Sequence, residues 1–218
     1  MDDFLKERLV KYDQWLASGT ISFSSRVVPV GESLQAQQWI LPAEQVKNIL
    51  SDAKSIALQK CLCRVHYSRC DKPLEVCLTL NELGEKFVAK GLARHISLSE
   101  AAEVLRKADE NGLVHLSLYM PDHKIVALCS CCSCCCHDIQ LMKSFNRKDL
   151  MVRSEYVAVT DIDKCIDCGD CVKRCVFDAR TFTDEQMHYN ADQCLGCGLC
   201  VSVCPAQATV MQPRQATS

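Results

Sequence analysis

The segments CIDCGDCVKRC at residues 165–175 and CLGCGLCVSVCP at residues 194–205 decide the fold of the C-terminal part of the chain. Each segment places four cysteines at the same spacing, C-x2-C-x2-C-x3-C. Thiols so close in sequence can converge on one metal centre only if the backbone can also approach it. Gly169, Gly196 and Gly198 permit the turns that this approach requires, because glycine lacks a Cβ atom. The repeated spacing therefore predicts two similar metal-binding loops.

These two loops resemble those of the bacterial-type ferredoxins, and the resemblance covers about residues 156–211. It implies two [4Fe-4S] clusters, because in that family the first three cysteines of each run hold one cluster and the fourth crosses to the other. Val176 departs from the family, where a proline is usual, but that proline is not a ligand. A pair of zinc sites is the alternative for C-x2-C spacing. The resemblance implies that the first cluster is held by Cys165, Cys168, Cys171 and Cys204, and the second by Cys194, Cys197, Cys200 and Cys175.

The composition limits the classes of function that need to be considered. A net charge of -2 over 218 residues gives no broad basic surface, so nucleic acid is not an expected partner. Disulfides among the 18 cysteines would require a secreted protein, yet Met1–Lys6 is acidic and amphipathic, unlike a secretory signal. No apolar run is long enough for a membrane span. We therefore expect a reduced, metal-loaded, cytoplasmic protein, suited to anaerobic or low-oxygen conditions.

Four further cysteines lie close together in the N-terminal half, at positions 61, 63, 70 and 77. The apolar spacing after Pro42 predicts a helix that runs directly into Cys61. Asp71 to Pro73 resembles a helix start, which places Cys77 on the first turns of the next helix. Arg64 can offset the negative charge of a thiolate-bound cluster. The alternative is that these cysteines are small, buried and inert. The predicted ligands in this segment are Cys61, Cys63, Cys70 and Cys77.

A second cysteine-rich segment, CSCCSCCCH at residues 129–137, follows a predicted hairpin of Leu113–Tyr119 and Lys124–Leu128. On an extended strand, alternate side chains face opposite sides. The segment therefore serves two metal centres or one larger cluster; a cysteine-rich buffer for zinc or copper is the alternative. His137, like His66, His115 and His123, is expected to be a bystander. Cys129 and Cys131 are expected on one face and Cys132 and Cys134 on the other, and Cys135 and Cys136 complete the candidate ligands.

Residues 60–210 as a whole resemble a group of prokaryotic ferredoxin-domain proteins with two signatures upstream of the two-cluster domain. The first signature is CxCR…C…P-x-E-x-C and the second is CxCCxCCC. The resemblance implies one or two additional iron-sulfur clusters and supplies no reaction. The matching residues are Cys61, Cys63, Arg64, Cys70, Pro73, Glu75, Cys77 and 129–136.

The predicted fold class is α+β, with a mainly helical N-terminal domain that contains a β-hairpin. This domain spans residues 1–145 and is followed by a linker at 146–155, the ferredoxin-like domain at 156–211 and a flexible tail at 212–218. Ser97 to Glu100 forms a capping box that predicts the start of a helix. A helix followed by a hairpin also resembles a winged helix, but no basic stripe accompanies it.

The leading functional hypothesis is an electron-transfer subunit that relays electrons between its clusters and a partner redox enzyme or electron-carrier protein. No arrangement of nucleophile and base is evident, so catalytic residues remain unassigned and an enzymatic role is uncertain. One alternative is a reductase whose N-terminal cluster has an open iron site. Another is a redox- or oxygen-sensing regulator that binds DNA. The oligomeric state is left open.

Overall fold

A computed structural model describes residues 1–21, 25–28, 48–120 and 124–214 of the chain. Residues 48–51 are also helical. The helices are α1 (Asp3–Ala17), α2 (Leu62–Tyr67), α3 (Asn81–Ala89), α4 (Leu98–Glu110), α5 (His137–Phe145) and α6 (Asp170–Arg174). The strands are β1 (Ser25–Val28), β2 (Ile56–Lys60), β3 (Glu75–Leu80), β4 (Ala93–His95), β5 (Val114–Tyr119), β6 (Ile125–Cys131), β7 (Met151–Val152), β8 (Tyr156–Thr160), β9 (Arg180–Thr183), β10 (Gln186–Tyr189) and β11 (Thr209–Pro213).

The N-terminal part is built on a seven-stranded sheet with the order β4-β2-β3-β6-β5-β1-β7. All of its pairings are antiparallel except that of β1 with β7. The predicted hairpin is confirmed as β5 and β6, which pair antiparallel. It is the centre of a much larger sheet, however, and the mixed α+β composition comes from this sheet with helices packed against it.

Helix α4 covers one part of the sheet through an apolar stripe that includes Ala101, Leu105 and Ala108, all essentially inaccessible to solvent. Its start has the N-cap bond of the predicted capping box, in which the Ser97 hydroxyl accepts a hydrogen bond of 3.1 Å from the amide of Glu100, while the Glu100 carboxylate pairs with Arg94. This helix and the middle of the sheet enclose the larger apolar core, and several of the upstream cysteines lie in that core.

The helix predicted after Pro42 is seen at residues 48–51 but does not continue into Cys61, and residues 42–47 lie outside those that the structure describes; the helix predicted for Cys77 is wrong. Residues 56–60 form β2, and Cys77 lies on β3, paired with Cys129 of β6. Pro73 suggested a helix start, but Val76 and Leu78 belong to a run that is buried on both faces of a central strand. A short, continuous apolar run fits a buried strand as well as a helix, and tertiary pairing decides between them.

The C-terminal part contains two small antiparallel sheets, β8 with β11 and β9 with β10. It shares a buried cluster with the large sheet, in which Val114 and Cys131 pack with Leu195 and Leu199. The segment at 146–155 is also in close contact with both parts, because β7 pairs with β1 and the Ser154 amide donates to the Leu195 carbonyl at 3.0 Å.

Among the described residues, no helix is both long enough and apolar enough to cross a membrane.

Candidate metal centres

Two cavities in the C-terminal part are each lined by four cysteines. Each cavity receives three cysteines from one run and the last cysteine of the other run. The cavities measure about 340 Å³ and 330 Å³ when the space open to solvent is included. The first is lined by Cys165, Cys168, Cys171 and Cys204, and the second by Cys175, Cys194, Cys197 and Cys200.

The glycines of these loops have the backbone geometry that the turns require. Gly169, Gly196 and Gly198 all have positive φ angles of 73° to 78°, which residues with a Cβ atom rarely adopt. At Gly196 space is limiting as well, since a Cβ atom would lie 2.0 Å from the carbonyl oxygen of Tyr156. A backbone amide also faces a thiol, because the Ala208 N–H donates to Cys204 Sγ at 3.3 Å. The loops therefore present thiols and backbone together, as a sulfide-containing cluster needs.

The cysteines that line the two cavities differ in their exposure to solvent. Cys168 of the first cavity is exposed, and Ile166, which lines the same cavity, is 64% exposed. Cys194 and Cys200 of the second cavity are both buried. The first cavity thus lies at the protein surface, and the second lies toward the core shared with the large sheet.

Arg180 is a buried cation between the two cavities, and nothing in the sequence pattern indicated it. Its Nη1 atom lies 3.8 Å from Cys171 Sγ and donates to the Thr160 hydroxyl at 2.9 Å. Burial alone would lower the pKa of Arg180, but negative charge on Cys200 and Cys171 raises it above the ordinary value. The guanidinium therefore faces the thiols of both cavities.

The ten upstream cysteines form two groups in space. The first group, here called the thiol quartet, has all four sulfur atoms within 4.8 Å of one another. Three of its members come from a turn immediately after β6, and the fourth comes from the loop after α2. The quartet consists of Cys70, Cys132, Cys134 and Cys135.

The second group contains the six remaining upstream cysteines and is called the thiol sextet. Hydrogen bonds from Cys63 and Cys77 lower the pKa of Cys61, and the bonds with Cys129 and Cys61 together with burial raise the pKa of Cys77. A hydrogen bond with Cys136, together with burial, holds the pKa of Cys131 well above its usual range. The sextet consists of Cys61, Cys63, Cys77, Cys129, Cys131 and Cys136.

The cysteines of the second cysteine-rich segment are divided between two groups, as expected, but strand alternation explains only part of this division. Cys132 and Cys134 do share one group, and Cys129 and Cys131 share the other. Strand β6 ends at Cys131, however, and a turn follows in which the Cys136 amide donates to the Cys132 carbonyl at 3.1 Å. Strand alternation places Cys129 and Cys131 on one face of β6, as expected, whereas this turn directs Cys132 and Cys134 to the other group.

Arg64 is buried between the quartet and the sextet. Its Nη2 atom lies 3.6 Å from Cys132 Sγ and donates to the Ser130 carbonyl at 3.1 Å, while Nη1 donates to the Pro73 carbonyl. Burial alone would lower the pKa of Arg64, but the thiol charges of Cys132 and Cys61 raise it. This position agrees with the charge-offsetting role expected from the sequence.

His137 was expected to be a partly exposed bystander, and the expected exposure is wrong. The ring is buried at 8% exposure, with Nδ1 3.0 Å from Cys63 Sγ and Nε2 2.9 Å from the Tyr12 hydroxyl. The docking of α1 against α5 encloses it, an arrangement that sequence spacing does not reveal. His66 stacks on Phe4, His115 is buried against Ser130, and His123 lies outside the described residues.

Comparison with known proteins identifies the C-terminal part. The family described as 4Fe-4S dicluster domain matches residues 158–211, so this part of the chain is a ferredoxin-type 4Fe-4S domain. The match begins at residue 158, after the upstream cysteines, and does not include them. No curated protein matches the chain.

Proposed function

We propose that the chain is an iron-sulfur electron-transfer protein. It relays electrons through two [4Fe-4S] clusters in the C-terminal domain, to or from at least one further cluster in the N-terminal part and a partner redox enzyme. The single observation that carries the proposal is the position of the thiol sextet. Cys131 and Cys136 belong to the same buried apolar cluster as Leu195 and Leu199, and Cys197 of the second cavity packs against that cluster.

The cysteines that line the two cavities are the proposed ligands of the two [4Fe-4S] clusters. Their donor set fits such clusters, since each cavity offers four thiols and a nearby glycine-rich backbone. When bound, the clusters accept and release single electrons. Arg180 places a positive charge beside both ligand sets, which stabilises an added electron.

The order of the centres follows from their burial. Cys168 and Ile166 leave the first cavity accessible to a partner, whereas the second lies between the first and the sextet. The apolar side chains of Leu195 and Leu199 keep water away from the space between the second cavity and the sextet. A partner redox protein thus has contact with the first cavity, and the sextet forms the inner end.

Neither alternative function gains support from the geometry. Both edges of the β5–β6 hairpin are paired, to β1 and to β3, so these strands do not project as the wing of a DNA-binding domain. The sextet supplies more thiols than the four irons of a cubane require, so each iron there can receive a thiolate and none is left open for a substrate.

Reduction of the anaerobically purified chain, followed by EPR, tests this proposal. We expect three reducible centres by spin quantification, and we expect the combined Cys61→Ser, Cys63→Ser and Cys77→Ser variant, which leaves the sextet with three thiols, to remove only the signal of the inner centre. Ser130→Ala, on the same sheet but without loss of a thiol, is the matched control and should retain all three. Two reducible centres in the unmodified chain would contradict the proposed inner cluster.

A further inference from the structure

The thiol quartet has a geometry different from that of the cavities in the C-terminal domain. Cys70 Sγ lies 3.8 Å from Cys132 Sγ, and Cys134 Sγ lies 3.8 Å from Cys135 Sγ. All four sulfur atoms are within 4.8 Å of one another. Among the described residues, which include all eight cysteines of the C-terminal runs, no other set of three or more potential ligands is this compact.

These separations can be compared with the two kinds of metal centre that four cysteines form. Four sulfur atoms at the Zn–S distance of about 2.3 Å, arranged as a regular tetrahedron, are about 3.8 Å apart. In a cubane, each thiolate binds a different iron on the outside of the cluster, so the four thiolates stand further apart. The quartet therefore has the dimensions of a site for one metal ion.

The backbone that carries the quartet is held in place by side chains that are not ligands. Arg69 donates to the Cys134 carbonyl at 3.1 Å and to the Gln140 side-chain oxygen at 2.8 Å. Gln140 in turn donates to the Cys135 carbonyl at 3.1 Å. These bonds fix the turn from outside and leave its sulfur atoms facing inward, as the surroundings of a metal site do.

Charge and burial also fit a divalent ion. Four thiolates around such an ion carry a net charge of about -2, and Arg64 and Arg69 bring two positive charges to the site. Cys132 and Cys135 are buried at 2% and 0% exposure, whereas Cys70 and Cys134 are partly exposed. The site is thus closed on its inner side and reachable by an ion from solvent.

We propose that the quartet binds one zinc(II) ion in a closed tetrahedral site and is not a cluster site. Zinc is favoured because four cysteines with no open position are its usual structural arrangement. The ion would cross-link the loop after α2 to the turn between β6 and α5, two segments that adjoin the elements carrying the sextet. This assignment leaves the sextet as the N-terminal place for an iron-sulfur cluster, and it stands or falls separately from electron transfer.

X-ray absorption at the zinc edge of the anaerobically purified, unmodified chain tests the geometry without any substitution. We expect about one zinc per chain with four sulfur neighbours at about 2.3 Å and no neighbouring iron. Absence of zinc would overturn the proposal, as would nitrogen or oxygen neighbours. Iron at the quartet, mononuclear or in a cluster, would also overturn it.

Substitutions locate the ion. Cys70→Ser combined with Cys134→Ser removes the two partly exposed ligands, and we expect at least a tenfold loss of bound zinc with no change in iron content. Ser133→Ala, in the same turn, is the matched control and should keep its zinc. Zinc retained by the double variant would place the ion elsewhere and overturn the proposal. Zinc lost only in Cys129→Ser, a change in the sextet, and lost there together with iron would overturn it as well.

Discussion

The Nη2 atom of Arg64 lies 3.6 Å from the sulfur of Cys132, inside a core where Arg64 is 1% exposed. A buried cation of this kind is stable only with negative or polar partners around it. Thiolates on both sides and two backbone carbonyls supply them. The positive charge of Arg64 thus interacts with thiols of both the quartet and the sextet.

Replacement of this cation should change the inner centre. In Arg64→Met we expect the reduction potential of the sextet centre to fall on the order of 50 mV, because an added electron loses a nearby positive charge. Arg64→Lys keeps the charge and should show a smaller fall. Redox titration followed by EPR measures both. Equal potentials in the unmodified chain and Arg64→Met would contradict this role, provided that Arg94→Met, which alters an exposed ion pair, is also unchanged.

Arg180 should act in the same way on the C-terminal domain. Its Nη1 atom is 3.8 Å from Cys171 Sγ, and its pKa reflects charge on Cys200 as well. We expect Arg180→Met to lower the potentials of both C-terminal clusters, again on the order of 50 mV. Protein-film voltammetry would measure the shift. A change in only one of the two clusters would show that the guanidinium does not serve both.

Gly196 should be far less tolerant of a side chain than Gly91, although both have positive φ angles. Gly91→Ala meets no atom within 4 Å and should cost about 1–2 kcal/mol of stability from backbone strain alone. Gly196→Ala adds a clash with the Tyr156 carbonyl and should cost roughly 3 kcal/mol or more, with loss of iron from the second cavity. Thermal unfolding and iron content measure both effects. Similar melting temperatures for the two variants would contradict the close approach.

His115 should make the stability of the chain depend on pH. Burial lowers the pKa of His115 to about 3, against an unfolded value near 6.5. Its contribution is complete above pH 6.5 and is lost as the pH falls toward 3, because only the unfolded chain binds the proton in that range. From pH 7.5 to pH 5.5 the free energy of unfolding should fall by about 1.4 kcal/mol from this group.

His115→Gln provides the comparison. The variant loses the ring that contacts Ser130 at 3.0 Å and should be less stable at pH 7.5, but the part of the pH slope due to His115 should disappear. Denaturant unfolding at the two pH values measures that slope. An unchanged slope would mean that the ring is protonated in the folded protein.

Features that depend on local sequence were predictable. Cysteine spacing identified the ferredoxin-type domain, and the Ser97 capping box marked the start of α4. Cys77 was misplaced because Pro73 suggested a helix, while the pairing of β3 with β6 depends on residues far away in the chain. The meeting of Cys70 with Cys132 and the burial of Arg180 and His137 are tertiary contacts as well, and no spacing rule encodes them.

The most direct test of the central claim is the iron and sulfide content of the full chain, purified and reconstituted without oxygen. Two clusters in the C-terminal domain and one at the sextet predict about twelve irons and twelve sulfides per chain. The sextet cysteines should then resist alkylation until the iron is removed. About eight irons per chain, with Cys63 and Cys129 open to alkylation, would contradict the account.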